Sequence, residues 1–273
     1  MSAPLERLRR EEELKSLFNL AEIAYPILVC VNALATTLNH IDDTDETFGY
    51  WEPLHYLLFG TTGMQTWEYA EQFAIRTYAF ILPFLGISTL FKVYFKVQLK
   101  FSFFLIIRLT LSVMSAYSEK RFILAIQKLF GITIALNTSM FMILSPGIFF
   151  CSTAFLPSAV AMSVVMLSIS FWMEGMYILS IAMGCIAVFW TGWPFVGVLF
   201  VPLGLHMLVV ACCPSEEKNS KTNYSVFSLI LYGFITLIFI AGSAAAVDIF
   251  MYKKWYRINY FIYFFVLIQL NFQ

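Results

Sequence analysis

Two long stretches without any charged residue limit the fold of this chain more than any other feature. Residues 129–173 and 175–215 contain no Asp, Glu, Lys or Arg. A helix needs about 20 apolar residues to cross the hydrocarbon core of a bilayer, so each stretch is long enough for two crossings. Ser145-Pro146-Gly147 and Gly192-Trp193-Pro194 interrupt them near the middle. Because Pro and Gly end helices, each stretch is predicted to form a helical hairpin.

The rest of the chain also has the composition of a membrane protein. Charged residues make up 12% and hydrophobic residues 60% of the 273 residues, and the mean hydropathy is +0.78. So few charges exclude a cytosolic enzyme, a nucleic-acid-binding protein and a disordered chain. The five cysteines lack metal-ligand spacing, and no metal site is predicted. We predict an all-α polytopic membrane protein of about eight or nine transmembrane helices, with further spans at 20–39, 75–91, 100–118, 226–247 and 258–272 and the start of a helix at 122.

The distribution of basic residues predicts the orientation of these spans. The first span follows 19 residues of mixed charge and lacks a cleavage site, which is typical of a signal anchor. Basic residues before this span, and Lys92, Lys96 and Lys100 after the second, predict that both regions are cytoplasmic. Residues 40–74 are then a large first luminal loop. The expected domains are a cytoplasmic segment 1–19, a transmembrane domain 20–257 and a hydrophobic tail 258–273.

The loop 40–74, which we call the acid loop, concentrates the chain's acidic residues. Seven of the 17 Asp and Glu residues lie between positions 40 and 71, and no Lys or Arg occurs between Lys15 and Arg76. Eight aromatic residues follow between Phe48 and Phe73. Carboxylates suit general-base catalysis or cation binding, and aromatic faces suit sugar rings. An amphipathic loop on the membrane surface is an equally good interpretation of the composition alone.

The spacing within the acid loop favours a site for a lipid-linked substrate. The first acids follow the first span directly, where a carboxylate reaches a lipid headgroup. A helix over 47–59 would place Glu52, His55 and Tyr56 on one face. Its leucines would pack against lipid or another helix, and Pro53 is tolerable near its start.

Three motifs in and after the acid loop resemble a known enzyme family. DTDETFGYWEPLHY (43–56), QTWEY (65–69) and AIRTY (74–78) closely resemble the first luminal loop of the dolichyl-phosphate-mannose-dependent alpha-1,2-mannosyltransferases of asparagine-linked glycan assembly. These enzymes belong to glycosyltransferase family 22 and have the GT-C fold. Two later motifs, STAFLPS (152–158) and GWPF (192–195), are similar to the family's later signatures.

The resemblance implies an enzyme of the endoplasmic reticulum membrane that needs no cofactor. It would transfer mannose from dolichyl-phosphate mannose to a dolichyl-diphosphate-linked oligosaccharide on the luminal side, with inversion and without nucleic acid as a partner. The family's paired acids correspond to Asp45 and Glu46. Asp45 is the expected base, and Glu46 would hold the acceptor or orient Asp45. Asp43 is the alternative base and a candidate for substrate binding, and for Asp43 and Asp45 the alternative role is that of a helix cap.

The other candidates would bind substrate. Arg76 is expected to hold the dolichyl phosphate or to be an interfacial arginine. Glu52 and His55 are candidates on the predicted helix, where His55 contacts phosphate or makes a structural hydrogen bond. Trp67 and Glu68 are expected to bind sugar or to hold the loop in a fixed conformation.

Three polar residues within spans are expected to lie outside the site. Arg108 should pair with Glu119 or with backbone, and His206 should be a hydrogen-bonded core histidine. Asp248 matches an acid of the family, but the number of predicted crossings places it on the cytoplasmic side.

The chain also departs from the family pattern. Family members are roughly twice as long, so a C-terminally truncated form is expected, and its alternative function is that of a catalytically inactive membrane isoform with a binding or structural role. The acid loop departs locally at Tyr69-Ala70-Glu71 and Gly60–Gly63.

Overall fold

The computed structural model describes residues 23–41, 43–60, 63–96, 99–212 and 224–252. The predicted segments 1–19 and 258–273 lie outside these residues. Throughout the described residues the regular structure is helical, which confirms the all-α class. The helices are α1 (Ile23–Leu38), α2 (Thr44–Glu46), α3 (Glu52–Phe59), α4 (Tyr78–Tyr94), α5 (Lys100–Phe130), α6 (Ile132–Leu144), α7 (Pro146–Cys151), α8 (Pro157–Met173), α9 (Tyr177–Cys185), α10 (Phe200–Cys212) and α11 (Val226–Tyr252).

Length and composition make three of the described helices able to cross a bilayer. They are Lys100–Phe130, Pro194–Cys212, which includes a 3-10 turn before α10, and Val226–Tyr252. Five shorter apolar helices accompany them. The chain is therefore a polytopic membrane protein.

Both predicted helix breaks are present. Helix α6 ends at Leu144, and Ser145 caps α7, which leads into α8. Helix α9, extended by a π-helical turn at Ile186–Trp190, is separated from α10 by the second predicted break.

The predicted separation of a span at 100–118 from a helix beginning at 122 is wrong. Helix α5 continues through Glu119-Lys120-Arg121 for 31 residues. It does so because these charges have partners. Glu119 accepts hydrogen bonds from Asn32 at 2.9 Å and from Ser115 at 2.7 Å.

Interhelical polar contacts define two ends of the helix bundle. At one end, Arg108 of α5 donates to the Asn39 carbonyl at 2.8 Å and to Thr153 Oγ1 at 2.9 Å. At the other end, Arg121 of the same helix pairs with Glu174. Thirteen residues of helix separate the two arginines, a distance of roughly 20 Å. We call these the acid-loop end and the distal end, because Asn39 leads directly into the acid loop.

Helix α4 stays at the acid-loop end, contrary to the prediction that it crosses to the other side. The Lys92 Nζ, near the end of α4, donates to the carbonyl of Leu58 in the acid loop at 2.6 Å. It also lies 4.7 Å from the centre of the Phe59 ring. Lys92 and the acid loop are therefore on the same side, and the charge-based assignment of Lys92 to the opposite side is wrong. Contacts with Leu58 and Phe59, rather than a preference for the cytoplasmic side of the membrane, determine the position of the Lys92 ammonium group.

The main hydrophobic core lies beneath the acid loop. Phe155, which is fully buried, follows α7 and packs against four aromatic rings, one of which is Trp51 at 4.8 Å. The ring centres of Phe84, Phe80 and Tyr50 lie 4.8, 5.3 and 6.2 Å from that of Phe155. Aromatic pairs at these separations stabilise a core beyond their buried area. The acid loop is thus anchored to α4 and to the segment between α7 and α8.

Candidate functional site

A capped helical turn positions the acid that was predicted to be the base. Asp43 is the N-cap of α2, and its Oδ1 accepts a hydrogen bond from the Asp45 backbone N–H at 2.8 Å. This satisfies a donor that the helix itself leaves unpaired. Asp43 thus caps the helix, which was one of its predicted roles, and the Asp45 side chain remains 64% exposed.

Pro53 explains why an irregular helical turn follows α2. Pro53 has no N–H and cannot donate to the carbonyl of Gly49, four residues earlier. The chain forms a π-helical turn at Thr47–Trp51 just before it, an irregularity that is common at functional sites. The hydroxyl of Tyr69 donates to the Gly49 carbonyl instead, at 2.8 Å. The motif 65–69 is thereby held against the motif 43–56.

Arg76 joins these two motifs through its guanidinium group. The Arg76 Nε donates to Glu68 Oε2 at 2.6 Å, and Nη2 donates to Asp45 Oδ1 at 2.8 Å. The guanidinium carbon lies 4.8 Å from the centre of the Tyr50 ring. Gly49 makes this approach possible, because a Cβ there would lie 2.5 Å from Arg76 Nη1. The structure therefore brings together Asp45, Glu68 and Arg76, three of the predicted site residues.

Helix α11 fixes the backbone around Arg76. Tyr252 donates its hydroxyl hydrogen to the Arg76 carbonyl at 2.6 Å. Asp248 Oδ1 accepts from the Thr77 hydroxyl at 3.1 Å and from the Tyr78 N–H at 2.8 Å. The prediction that Asp248 lies on the opposite side, away from the site, is therefore wrong. The signal that identifies Asp248 is its match to a family acid, and the error came from counting crossings.

The guanidinium of Arg76 faces a polar cavity of about 250 Å³. One wall is formed by Thr191 and by Gly192 and Trp193, the first two residues of the motif at 192–195 that was predicted from the resemblance. Gly192 has a φ of +70°, and a Cβ there would lie 2.5 Å from Thr77 Cγ2. Glycine is thus required both by the backbone conformation and by the close approach to Thr77. The lining residues are Asp45, Tyr50, Glu68, Ile75, Arg76, Thr77, Thr191, Gly192 and Trp193.

The surroundings of Arg76 in this cavity keep its guanidinium group charged. Burial alone would lower the pKa of Arg76, but the hydrogen bond to Glu68 and the charges of Glu68 and Asp45 raise it above its ordinary value. Burial raises the pKa of Tyr50 to about 12, against the lowering effect of Arg76. Arg76 is therefore charged and Tyr50 neutral at physiological pH. The cavity combines an exposed carboxylate with a largely buried cation, an arrangement suited to binding an anionic group next to a hydroxyl group.

Glu46, the second predicted catalytic acid, points away from this cavity. It is buried, and its Oε1 accepts hydrogen bonds from Trp51 Nε1 and from the Phe155 N–H, both at 2.9 Å. Phe155 belongs to the motif 152–158. Glu46 therefore ties the acid loop to that motif, while its role in catalysis stays a prediction.

Three predicted binding residues also lie outside the cavity. Glu52 accepts a hydrogen bond from the Met64 N–H at 3.1 Å and so holds the segment after α3 against the start of that helix. His55 packs on Phe59, with ring centres 5.0 Å apart, and lines a different cavity. Trp67 is 61% exposed. Their assignment to substrate binding stays a prediction.

The two intramembrane residues expected to be structural differ in their surroundings. Arg108 bonds to backbone carbonyls and to Thr153, whereas Glu119, the other predicted partner, bonds to Asn32 and Ser115. His206 accepts a hydrogen bond from Trp172 Nε1 at 3.2 Å, as expected, but it is exposed on the surface of the bundle rather than part of a core.

Comparison with known proteins gives a consistent set of relatives. The Alg9-like mannosyltransferase family matches residues 23–271. The chain is 34% identical to the alpha-1,2-mannosyltransferase ALG9 of Arabidopsis thaliana over 222 residues, which cover 81% of this chain and 36% of the relative. It is also 34% identical to human ALG9 over 212 residues, 77% of this chain and 33% of the relative. For ALG9 of Saccharomyces cerevisiae the identity is 34% over 206 residues, 73% of this chain and 37% of the relative.

These matches determine the family, although no solved structure matches the chain. The matched region spans about a third of the length of these curated relatives. It contains the acid loop and the motifs at 152–158 and 192–195, whose residues surround or support the cavity at Arg76. The family match extends over most of the chain, so the protein belongs to the Alg9-like mannosyltransferase family.

Proposed function

We propose that the cavity at Arg76 is the transfer site of a mannosyltransferase that acts on lipid-linked oligosaccharides. The donor would be dolichyl-phosphate mannose, the product linkage alpha-1,2, and the site luminal in the endoplasmic reticulum membrane. The observation that carries the proposal is the bridge from Arg76 to Asp45 and Glu68 in a polar cavity at one end of a membrane helix bundle. The relatives named alpha-1,2-mannosyltransferase support it.

The arrangement supplies both groups that an inverting single displacement requires. The acceptor hydroxyl oxygen attacks the anomeric carbon of mannose, the bond from that carbon to the phosphate oxygen breaks, and dolichyl phosphate leaves. Asp45 accepts the hydroxyl proton as the general base. Arg76 stabilises the charge of the departing phosphate. The proposal includes no metal ion or cofactor.

A second candidate is a membrane protein that binds the lipid-linked sugar without transferring it. The observation in its favour is that Arg76 already holds Asp45 Oδ1, the carboxylate that must act as base. A carboxylate that stayed in this ion pair would not accept a proton efficiently, so the site would not catalyse transfer.

Complementation distinguishes the two candidates. Cells that lack the homologous alpha-1,2-mannosyltransferase accumulate shortened lipid-linked glycans, whose size is measured after expression of the chain. We expect the wild-type chain to lengthen these glycans and Asp45→Asn to abolish the lengthening at equal protein level. Failure of the wild-type chain to lengthen them would favour the binding protein.

The matched control is Glu71→Gln. It makes the same change of charge in the acid loop, at an exposed residue that does not line the cavity. We expect it to lengthen the glycans as the wild-type chain does. Transfer by Asp45→Asn at the level of this control would refute the assignment of Asp45 as base.

A further inference from the structure

A second cavity, of about 220 Å³, lies between α3, α4 and α5 at the acid-loop end. It has no lining residue in common with the cavity at Arg76. Its walls are mainly apolar and aromatic, and its four polar or charged lining residues are Glu52, His55, Ser88 and Lys100. We call it the α5 cavity, because α5 begins at Lys100.

Two buried polar atoms at the α5 cavity have no protein partner. Within the described ranges, neither His55 Nδ1 nor Ser88 Oγ has a hydrogen-bond partner. Ser88 is fully buried. Buried polar groups in folded proteins are nearly always hydrogen-bonded, so unpaired atoms at one cavity indicate a ligand that bonds to them.

Positive charge is concentrated at the same place. The Nζ atoms of Lys92 and Lys100 lie 4.7 and 5.5 Å from the centre of the Phe59 ring. Glu52 is the acid among the lining residues, and its Oε2 accepts the Met64 N–H. Helix α5 is 31 residues long, and its N-cap Leu99 makes no side-chain capping bond. The N-terminus of a long helix adds to the attraction for an anion.

We propose that the α5 cavity binds the phosphate group of a membrane lipid. A phosphate accepts hydrogen bonds from the Lys100 ammonium, from the Ser88 hydroxyl and from His55 in the tautomer with its hydrogen on Nδ1. A lipid fits better than free phosphate, because the cavity walls are apolar. Leu90 of α4 and Phe101 of α5 are also exposed and offer a surface for the lipid chain.

This proposal does not depend on mannose transfer, and a direct binding measurement tests it. The full chain is purified in detergent, and binding of dioleoyl phosphatidic acid is measured by native mass spectrometry. We expect Lys100→Gln to bind the lipid roughly tenfold more weakly, because it loses a charge-assisted hydrogen bond. Lys120→Gln is the control. It makes the same change in the same helix, where Lys120 lies 4.4 Å from the ring of Tyr25 towards the distal end.

Two other probes identify the chemistry that is recognised. Dioleoylglycerol has the same chains without the phosphate, and inorganic phosphate has no chains; we expect both to bind much more weakly than phosphatidic acid. Ser88→Leu fills the cavity and should also reduce lipid binding, which provides a second variant if Lys100→Gln folds poorly. Equal affinity of Lys100→Gln and the wild type, or equal binding of dioleoylglycerol, would overturn the proposal. Inorganic phosphate binding as tightly as the lipid would overturn the assignment to a lipid.

Discussion

The substitution Gly49→Ala tests whether the position of Arg76 depends on the absence of a side chain at residue 49. The added Cβ would lie 2.5 Å from Arg76 Nη1 and 2.8 Å from Cζ. Both separations are too short for non-bonded atoms, so the guanidinium must move. Its present position is held by Glu68 and Asp45. Gly49→Ala is therefore expected to weaken both ion pairs without removing any charge.

The exposure of each carboxylate determines the size of the effect. Glu68 is 22% exposed, and a protected charge-assisted hydrogen bond contributes about 1.5–3 kcal/mol. Asp45 is 64% exposed, and such a pair contributes about 0–1 kcal/mol. Alanine in place of a helical glycine restores about 0.5–1 kcal/mol. The expected net loss in the free energy of unfolding of Gly49→Ala is about 1–3 kcal/mol.

The assay compares the unfolding of purified variants in detergent, followed by the intrinsic fluorescence of tryptophan. Gly86→Ala is the matched control, because a Cβ at this helical glycine of α4 meets no atom within 4 Å. Gly86→Ala should be as stable as the wild type or slightly more stable. If Gly49→Ala were as stable as Gly86→Ala and supported glycan lengthening equally well, the close packing of Arg76 on Gly49 would not determine the site.

Two further predictions concern the support of the site. Asp248→Asn should lower the free energy of unfolding by about 1–2 kcal/mol, because Thr77 and Tyr78 then donate to a neutral oxygen; unchanged urea unfolding would contradict this. In the wild type, the folded state keeps the Tyr50 proton up to a pKa of about 12, whereas the unfolded chain loses it near 10. Stability should therefore fall as pH rises from about 10 to 12, and Tyr50→Phe should reduce this fall in alkaline unfolding experiments.

The part of the site that lies within one continuous segment was predictable from the sequence. Asp45, Glu68 and Arg76 fall within 32 residues, and Arg76 is the first cation after a long stretch without Lys or Arg. An isolated cation is attracted to several nearby acids, which predicts that these three side chains lie close together. The two helix breaks were also predictable, because Pro and Gly interrupt long apolar stretches locally.

The contacts between distant segments were not predictable in this way. Asp248 is 171 residues from Thr77, and its side of the membrane depended on every crossing before it. One wrongly predicted crossing was enough to place Asp248 on the opposite side of the membrane. Helix α4 has 17 residues, nearly the length of a span, and contains lysine near its end. Apolar length and basic charge do not reveal that Lys92 bonds back to Leu58 in the acid loop.

Burial of Glu46 shows a second limit of reasoning from a motif. Adjacent acids at 45 and 46 suggest a catalytic pair, but consecutive residues of a helix point in directions about 100° apart. Asp45 therefore faces the cavity while Glu46 faces Trp51 and Phe155. The motif identified both residues, but it did not show that Asp45 faces the cavity whereas Glu46 holds the acid loop against the core.

The unequal exposure of the two carboxylates on Arg76 also gives an order of events for the proposed transfer. A donor phosphate that enters the cavity must take hydrogen bonds from Arg76, and it displaces the weaker partner first. Asp45 is the weaker partner, because water already competes for it, whereas Glu68 is more buried and bonds at 2.6 Å. Exchange of Asp45 for phosphate leaves Arg76 anchored through Glu68 and frees the Asp45 Oδ1 to accept a proton. The ion pair that holds Asp45 in the structure would thus release this base when the donor phosphate binds to Arg76.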